Sequence, residues 1–302
     1  MHSFTIFVDS NCDLPAEYMA EHDIHVLPIP FDLDGKPNPG GYWQDISGKE
    51  FYDSLRHGGV SKTSQVNPET FFSLFTEYAG QNKPALFIAL SSGLSGTYGG
   101  AVLALQEVKE TYPECDIHVV DSIFASSGHG LAVMLAVKKR DEGWSAGETA
   151  ALLEEKKHRY FGLFTVEDLM YLHRGGRLSK LSAIAGSMLK IRPILNLAPD
   201  GTLALKEKAQ GRKASMKLMV SQLQRSIKPD TVMDVVVVNH TDCLEDAQIL
   251  AGMVKEAVNV REVLVMFMGP VIGTHLGPGA LTLIFEADMT RAEYEAAFYG
   301  KK

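Results

Sequence analysis

The sequence predicts an α/β protein with an N-terminal parallel-sheet domain over residues 1–160 and a C-terminal α+β domain over residues 161–302. Three observations carry this. Short apolar runs alternate with helix-length segments through the first half, the pattern of βαβ units. Three of those runs end in polar pairs, Asp9-Ser10, Ser91-Ser92 and Asp121-Ser122, and ligands of open α/β sheets sit beyond such strand ends. After about Tyr160 the pattern changes to extended runs flanking a Pro199-Asp200-Gly201 turn, followed by helices and further strands.

Phe4 to Val8 reads as the first strand, followed by a helix with Asp13 as cap and Pro15 near its first turn. Val26 to Leu33 is extended but broken by Pro, hence an edge strand, and residues 34–50 read as a loop. A short helix from Glu50 to His57 stops at Gly58-Gly59. Residues 61–68 read as a polar loop, and Asn67 caps a helix from Pro68 to Ala79.

The stretch Pro84 to Ala101, PALFIALSSGLSGTYGGA, organises the chain. It gives a buried strand, Ala85 to Leu90, then a Ser/Gly turn and a helix reaching about Tyr112. Glycines in the turn let successive N–H groups converge, and the helix adds the positive end of its dipole. Ser95 and Thr97 contribute hydroxyls. A phosphate, sulfate or carboxylate suits such a place, and a bare βα connection with Ser/Thr caps suits it equally. No Lys follows the glycines and the spacing is not G-x-G-x-x-G, so neither a Walker loop nor a dinucleotide fingerprint is present.

Further strands are expected at Ile117–Val120, Arg192–Leu197, Leu203–Lys208, Met233–Val238, Val263–Phe267 and Ala280–Phe285. Helices are expected at Ala125–Arg140, Ser145–Lys157, Val166–Leu172, Leu181–Lys190, Lys213–Ile227 and Leu244–Val258. His275 falls in a loop dense with Gly and Pro, where a histidine hydrogen-bonds an anion, acts as a base, or is simply structural. Arg177, after Gly175-Gly176, is either a bidentate clamp for a carboxylate or phosphate or an exposed cation.

Composition bounds the function. Hydrophobic residues make up 45% and charged residues 22% of 302, as in ordinary globular proteins. No apolar run approaches the roughly 20 residues of a membrane helix. The N-terminus lacks the basic region of a signal peptide. Three scattered cysteines argue against a disulfide framework or zinc site and for a cytoplasmic location. Nor do the histidines form an H-x-x-x-H pair, so no metal is expected. Net charge is −8, yet residues 173–217 hold ten Lys/Arg against two acids, a local +8 that leaves −16 elsewhere. That island reads as a solvated surface or as a docking face for something anionic. It lacks interleaved aromatics, so nucleic acid is not expected.

Several stretches together resemble the DegV family, the fatty-acid-binding component of the bacterial fatty acid kinase system. They are V-D-S-N-C-D-L-P (8–15), K-T-S-Q (62–65), L-S-S-G-L-S-G-T-Y (90–98), V-D-S (120–122), L-H-R-G-G-R-L-S-K (172–180), I-R-P-I-L (191–195) and G-P-V-I-G-T-H-L-G-P-G-A-L (269–281). The resemblance implies a ligand between the two domains: a long-chain fatty acid such as palmitate, with no other cofactor. Its carboxylate would be held by Thr63 and Ser95 with His275 close by, and Ser64, Gly96, Thr274 and Ser10 complete the expected contacts. A separate kinase would phosphorylate the bound acid for phospholipid synthesis. Arg177 and Arg212 would then serve docking to that kinase or to a membrane surface. Gln210 stands where the family usually has an arginine. Candidate tunnel walls are the helix Leu181 to Leu189 and the run Gly130 to Val137. The alternative is a stand-alone esterase or phosphotransferase using Ser95 and His275, although S-S-G-L-S-G-T is not a G-x-S-x-G elbow. A nucleotide-binding protein is a third, weaker reading.

Overall fold

In the computed structural model, which describes residues 3–40, 46–177 and 191–300, the chain opens with β1 (Thr5–Asp9), α1 (Ala16–Glu21) and β2 (Ile24–Leu27). A hairpin of β3 (Phe31–Leu33) and β4 (Lys36–Asn38) precedes α2 (Gly48–Arg56), β5 (Ser61–Thr63) and α3 (Pro68–Gly80). Then come β6 (Ala85–Ala89), α4 (Thr97–Thr111), β7 (Ile117–Asp121), α5 (Ser127–Asp141) and α6 (Ala146–Lys156). The second half contributes β8 (Tyr160–Thr165), α7 (Met170–Arg174), β9 (Ile191–Leu197), β10 (Leu203–Gln210), α8 (Arg212–Ser226) and β11 (Val232–His240). It ends with α9 (Leu244–Ala257), β12 (Asn259–Phe267), α10 (Pro270–Leu276), β13 (Leu281–Glu286) and α11 (Arg291–Phe298). The expected helix Leu181–Lys190, and Lys180 and Lys190 of the basic island, lie outside the described residues.

The fold is mixed α/β, as the sequence predicts. β2-β1-β6-β7 form a parallel sheet, and β10-β9-β8-β13-β11-β12 form a mixed sheet. Between them runs α5, which touches β1 and β6 on one side and β8 and β13 on the other. It is buried almost all round over Ser127–Val133, which is why its sequence shows no single apolar stripe. Gly130 permits the close approach: a Cβ there would lie 2.7 Å from the Cys12 carbonyl oxygen. One apolar cluster passes through this layer, joining Val8 and Ile88 to Val133, Phe164 and Ile284. A second fills the space between the mixed sheet and α8, α9 and α11, and a third lies between the parallel sheet and α3 and α4.

A small antiparallel sheet, β4-β3-β5, is separate from both; the sequence reads β3 as the end of an extended edge strand but β4 and β5 as loop. Its hairpin turns at Asp34-Gly35, both with positive φ (54° and 74°). That dipeptide is a strong two-residue hairpin signal, masked by Pro37. β5 is Ser-Lys-Thr, too polar to announce a strand, and it gains its conformation by pairing Phe31 with Thr63. β8 and α11 were not anticipated either. His275 lies in α10, not in a loop; Gly269 and Pro270 start that single short helix and Gly277 (φ 69°) ends it.

The strand-end polar pairs prove to be scaffold. Asp9 accepts from the Leu90 N–H at 2.8 Å, and Asp121 accepts from Ile123 N at 2.8 Å and Ser92 N at 3.2 Å. These carboxylates satisfy turn amides that have no strand partner. Asp13, expected to cap α1, makes no cap: its φ is 52°, and its carboxylate accepts from Gly269 N (2.9 Å) and the Ser126 hydroxyl. It thereby ties the first loop to the start of α10 and of α5. Burial pushes the Asp13 carboxyl up to about 7, against the lowering effect of those hydrogen bonds.

Candidate functional site

Three short segments converge on one cavity. The first is the end of β5, held in place by its pairing to β3, which presents Thr63 and Ser64. The second is the turn after β6. Leu94 and Ser95 amides bond back to the Ser91 carbonyl, so the turn is already helical before α4 begins. Ser95 Oγ accepts from Thr97 N at 3.3 Å and lies 3.0 Å from Thr97 Oγ1, so the hydroxyl steadies the helix start and also lines the cavity. Gly96 backs onto the Thr63-Ser64-Gln65 segment, where a Cβ would overlap the Gln65 amide. The third segment is α10 with His275.

His275 Nε2 lies 2.8 Å from Thr63 Oγ1. Its Nδ1 is buried with no hydrogen-bond partner among the described residues. Gly175 presses on that side of the ring; a Cβ there would collide with Nδ1. Burial, aided by the nearby Arg177 cation, lowers the imidazole to about 3, so it is neutral near pH 7. Arg177 also lines the cavity. Its Nε donates to the Leu94 carbonyl at 3.1 Å and a terminal nitrogen donates to Gly175 O. Among the described residues no carboxylate comes within ion-pair distance of it, and burial lowers its pKa. The arginine therefore joins the α7 end to the Ser95 turn and leaves a positive charge at the cavity.

The empty space at the cavity, its solvent-open part included, is about 780 Å³. Its walls are apolar and come from both sheets and the loops above them: Leu90 and Phe124 from one side, Phe164, Leu197 and Ile284 from the other, and Met268 before α10. The polar groups are Thr63, Ser64, Ser95, His275 and Arg177, with Ser126 and Thr282 besides.

Of the residues singled out in the sequence, Thr63, Ser64, Ser95, His275 and Arg177 line this cavity. Ser10 does not: it is buried and accepts from Ile29 N at 2.9 Å, pinning the chain after β2. Thr274 does not either; its Oγ1 meets Pro270 O at 2.8 Å and Ser61 Oγ at 2.7 Å, fastening α10 to β5. Gly96 acts through its backbone and its contact with Gln65. The run Gly130–Val137 packs in the core instead of forming a tunnel wall. Arg212, expected to be free for docking, is held by Asp246 (2.8 Å), the Gly279 carbonyl (2.7 Å) and Cys243 Sγ (3.2 Å). Other cations of the basic island are met by acids from elsewhere, Arg192 by Glu167 and Lys206 by Glu295, and Gln210 is an exposed residue closing β10. Ser126, Thr282 and Met268 are not picked out by the sequence, for each sits in an ordinary run with no motif of its own; Leu172 opens the L-H-R-G-G-R-L-S-K stretch, where its apolar side chain gives no sign of lining a site.

The fold and cavity define a two-sheet α/β protein with a partly open apolar chamber and a small set of hydroxyl, imidazole and guanidinium groups along one part of its wall. The chain belongs to the DegV family: the model described as "Uncharacterised protein, DegV family" matches residues 3–288. A DegV domain-containing protein of Clostridium perfringens is 38% identical over 289 residues, covering 95% of this chain and 99% of its own. A solved DegV lipid-binding protein from Thermotoga maritima superposes with a TM-score of 0.81 at 29% identity, covering 95% of this chain and 99% of its own. A Thermus thermophilus DegV family protein, described for its fatty acid binding, gives 0.83 at 28% identity, covering 95% and 100%.

Proposed function

We propose that this protein binds a long-chain fatty acid, with its carboxylate at Thr63, Ser95 and His275 beside Arg177 and its acyl chain in the apolar chamber. The observation that carries the reading is the chamber itself, apolar on walls drawn from both sheets and polar where β5, the β6 turn and α10 meet. Burying an acyl chain there is worth about 0.8 kcal/mol per CH₂. The polar groups suit a carboxylate: two hydroxyls, a neutral imidazole and one cation with no carboxylate partner among the described residues. The Thermus and Thermotoga relatives, described as fatty-acid- or lipid-binding, support the same ligand class.

The acid is then presented to a separate kinase, which makes the acyl phosphate that feeds phospholipid synthesis; this part rests on the family resemblance. The site is a carrier and not a hydrolase. Ser95 is engaged with Thr97, His275 with Thr63, and among the described residues no carboxylate orients Nδ1, so the parts of a nucleophile–base–acid set are not aligned there. A cytoplasmic location and passing contact with a membrane surface fit such a role.

Solvent extraction of the purified protein followed by mass spectrometry tests the reading. Near-stoichiometric fatty acid is expected, either as purified or after loading; none in either case refutes it.

A further inference from the structure

Along β13 the side chains alternate. Leu281, Leu283 and Phe285 enter the core beneath α8 and α9, while Thr282 and Ile284 line the cavity. A threonine on that face puts a hydroxyl where valine would fill the same volume. Thr282 is 7% exposed, and its Oγ1 is buried without a hydrogen-bond partner among the described residues. Its register partner on β11 is Asn239, so both side chains emerge on one face of the sheet. Asn239 donates to Ser126 Oγ (2.9 Å) and Ser127 Oγ (2.7 Å), and its Oδ1 is likewise buried without a partner. Ser126, the neighbouring polar residue of the wall, is already engaged with Asp13 and Asn239. One donor–acceptor hydroxyl, that of Thr282, thus stands unsatisfied at a wall that includes Phe164, Ile284 and Gly162, while Asn239 is buried on the adjacent strand.

We propose that Thr282 is a specificity-determining residue that selects fatty acids bearing a hydroxyl on the acyl chain over plain saturated acids. The inference rests on the fatty-acid reading above and names the substrate class of that site. A chain hydroxyl can accept from or donate to the Thr282 hydroxyl. A methylene at the same place leaves that hydroxyl unpaired, and expels any water that satisfied it, which lowers affinity.

The test is a binding series with stearic acid and hydroxystearic acids whose hydroxyl is placed at successive carbons, against wild type, Thr282→Val and Thr282→Ser. Wild type should bind one hydroxystearate about tenfold more tightly than stearate. Thr282→Val should bring that ratio near one, chiefly by weakening the hydroxy acid, and Thr282→Ser should keep it. Thermal unfolding of each variant establishes that it is folded. The proposal is overturned if no hydroxystearate outcompetes stearate, or if Thr282→Val leaves the ratio unchanged. Failure of stearate and every other acid to bind wild type would overturn the fatty-acid reading itself, a distinct result.

Discussion

Thr63 Oγ1 and His275 Nε2 lie 2.8 Å apart although 212 positions separate them. The contact joins an edge strand of the small sheet to a helix that leads into the mixed sheet, and it sets the polar part of the cavity. Thr63→Val removes the partner of a buried ring nitrogen. It should cost about 1–3 kcal/mol of stability and weaken fatty-acid binding about tenfold. Denaturant unfolding and a fluorescence displacement assay check the two effects separately. Ser95→Ala should weaken binding with a smaller loss of stability, since the bond it removes, Thr97 N to Ser95 Oγ, is long at 3.3 Å. The double variant should fall short of additivity if both hydroxyls serve one carboxylate.

His275 gives a pH dependence with a definite sign. Its folded pKa, about 3, lies below the ordinary 6.5. The unfolded chain therefore binds the proton more readily. The stability from keeping the ring neutral is complete above pH 6.5 and declines as pH falls toward 3, by up to about 5 kcal/mol. Asp13 works in the opposite sense: raised from 3.8 to about 7, its contribution is present below pH 3.8 and lost as pH rises through 7. The two offset one another in the wild type. Comparison with His275→Gln isolates the histidine: the wild type's stability relative to that variant should shrink between pH 6.5 and pH 4. A constant difference across that range would contradict the buried neutral ring.

Arg177 places a positive charge at the cavity besides joining the end of α7 to the Ser95 turn. Arg177→Met should lower fatty-acid affinity about tenfold or more, because hydrogen bonds to charged groups are worth about 1.5–3 kcal/mol. The fatty alcohol of equal length should bind both proteins alike. Equal losses for acid and alcohol would make Arg177 a packing residue only.

Gly175 is glycine because the His275 ring occupies the place of a Cβ. Gly175→Ala should displace the imidazole from Thr63 and cost about 1–3 kcal/mol, the usual penalty of overpacking. Proton NMR of the imidazole, together with the melting temperature, reports both. A ring signal and stability like wild type would show that the neighbouring backbone yields.

Much of this arrangement was legible in the sequence where local and tertiary preferences coincide. The strand Ala85–Ala89 and helix α4 were plain because a wholly buried strand is a continuous apolar run and the Ser/Gly turn marks its end. Thr63, Ser95 and His275 stood out by their motifs. What stayed hidden depends on partners distant in the chain. Ser61–Thr63 is a strand only because β3 lies beside it. β8, Tyr-Phe-Gly-Leu-Phe-Thr, follows α6 with no turn residue to mark its start. The polar pairs Asp9-Ser10 and Asp121-Ser122 have the composition of a ligand site, but their carboxylates and hydroxyls are taken by loop amides. Arg212 looks free in the sequence because Asp246 and the Gly279 carbonyl reach it only after α9 and the α10–β13 turn are in place.

The most direct measurement of the central claim is the carbon NMR spectrum of palmitate labelled at its carboxyl carbon, titrated with the protein. The account predicts one bound carboxyl resonance saturating at one acid per chain, shifted in the Thr63→Val and Ser95→Ala variants. A spectrum that shows only free or micellar palmitate at every protein concentration would contradict it.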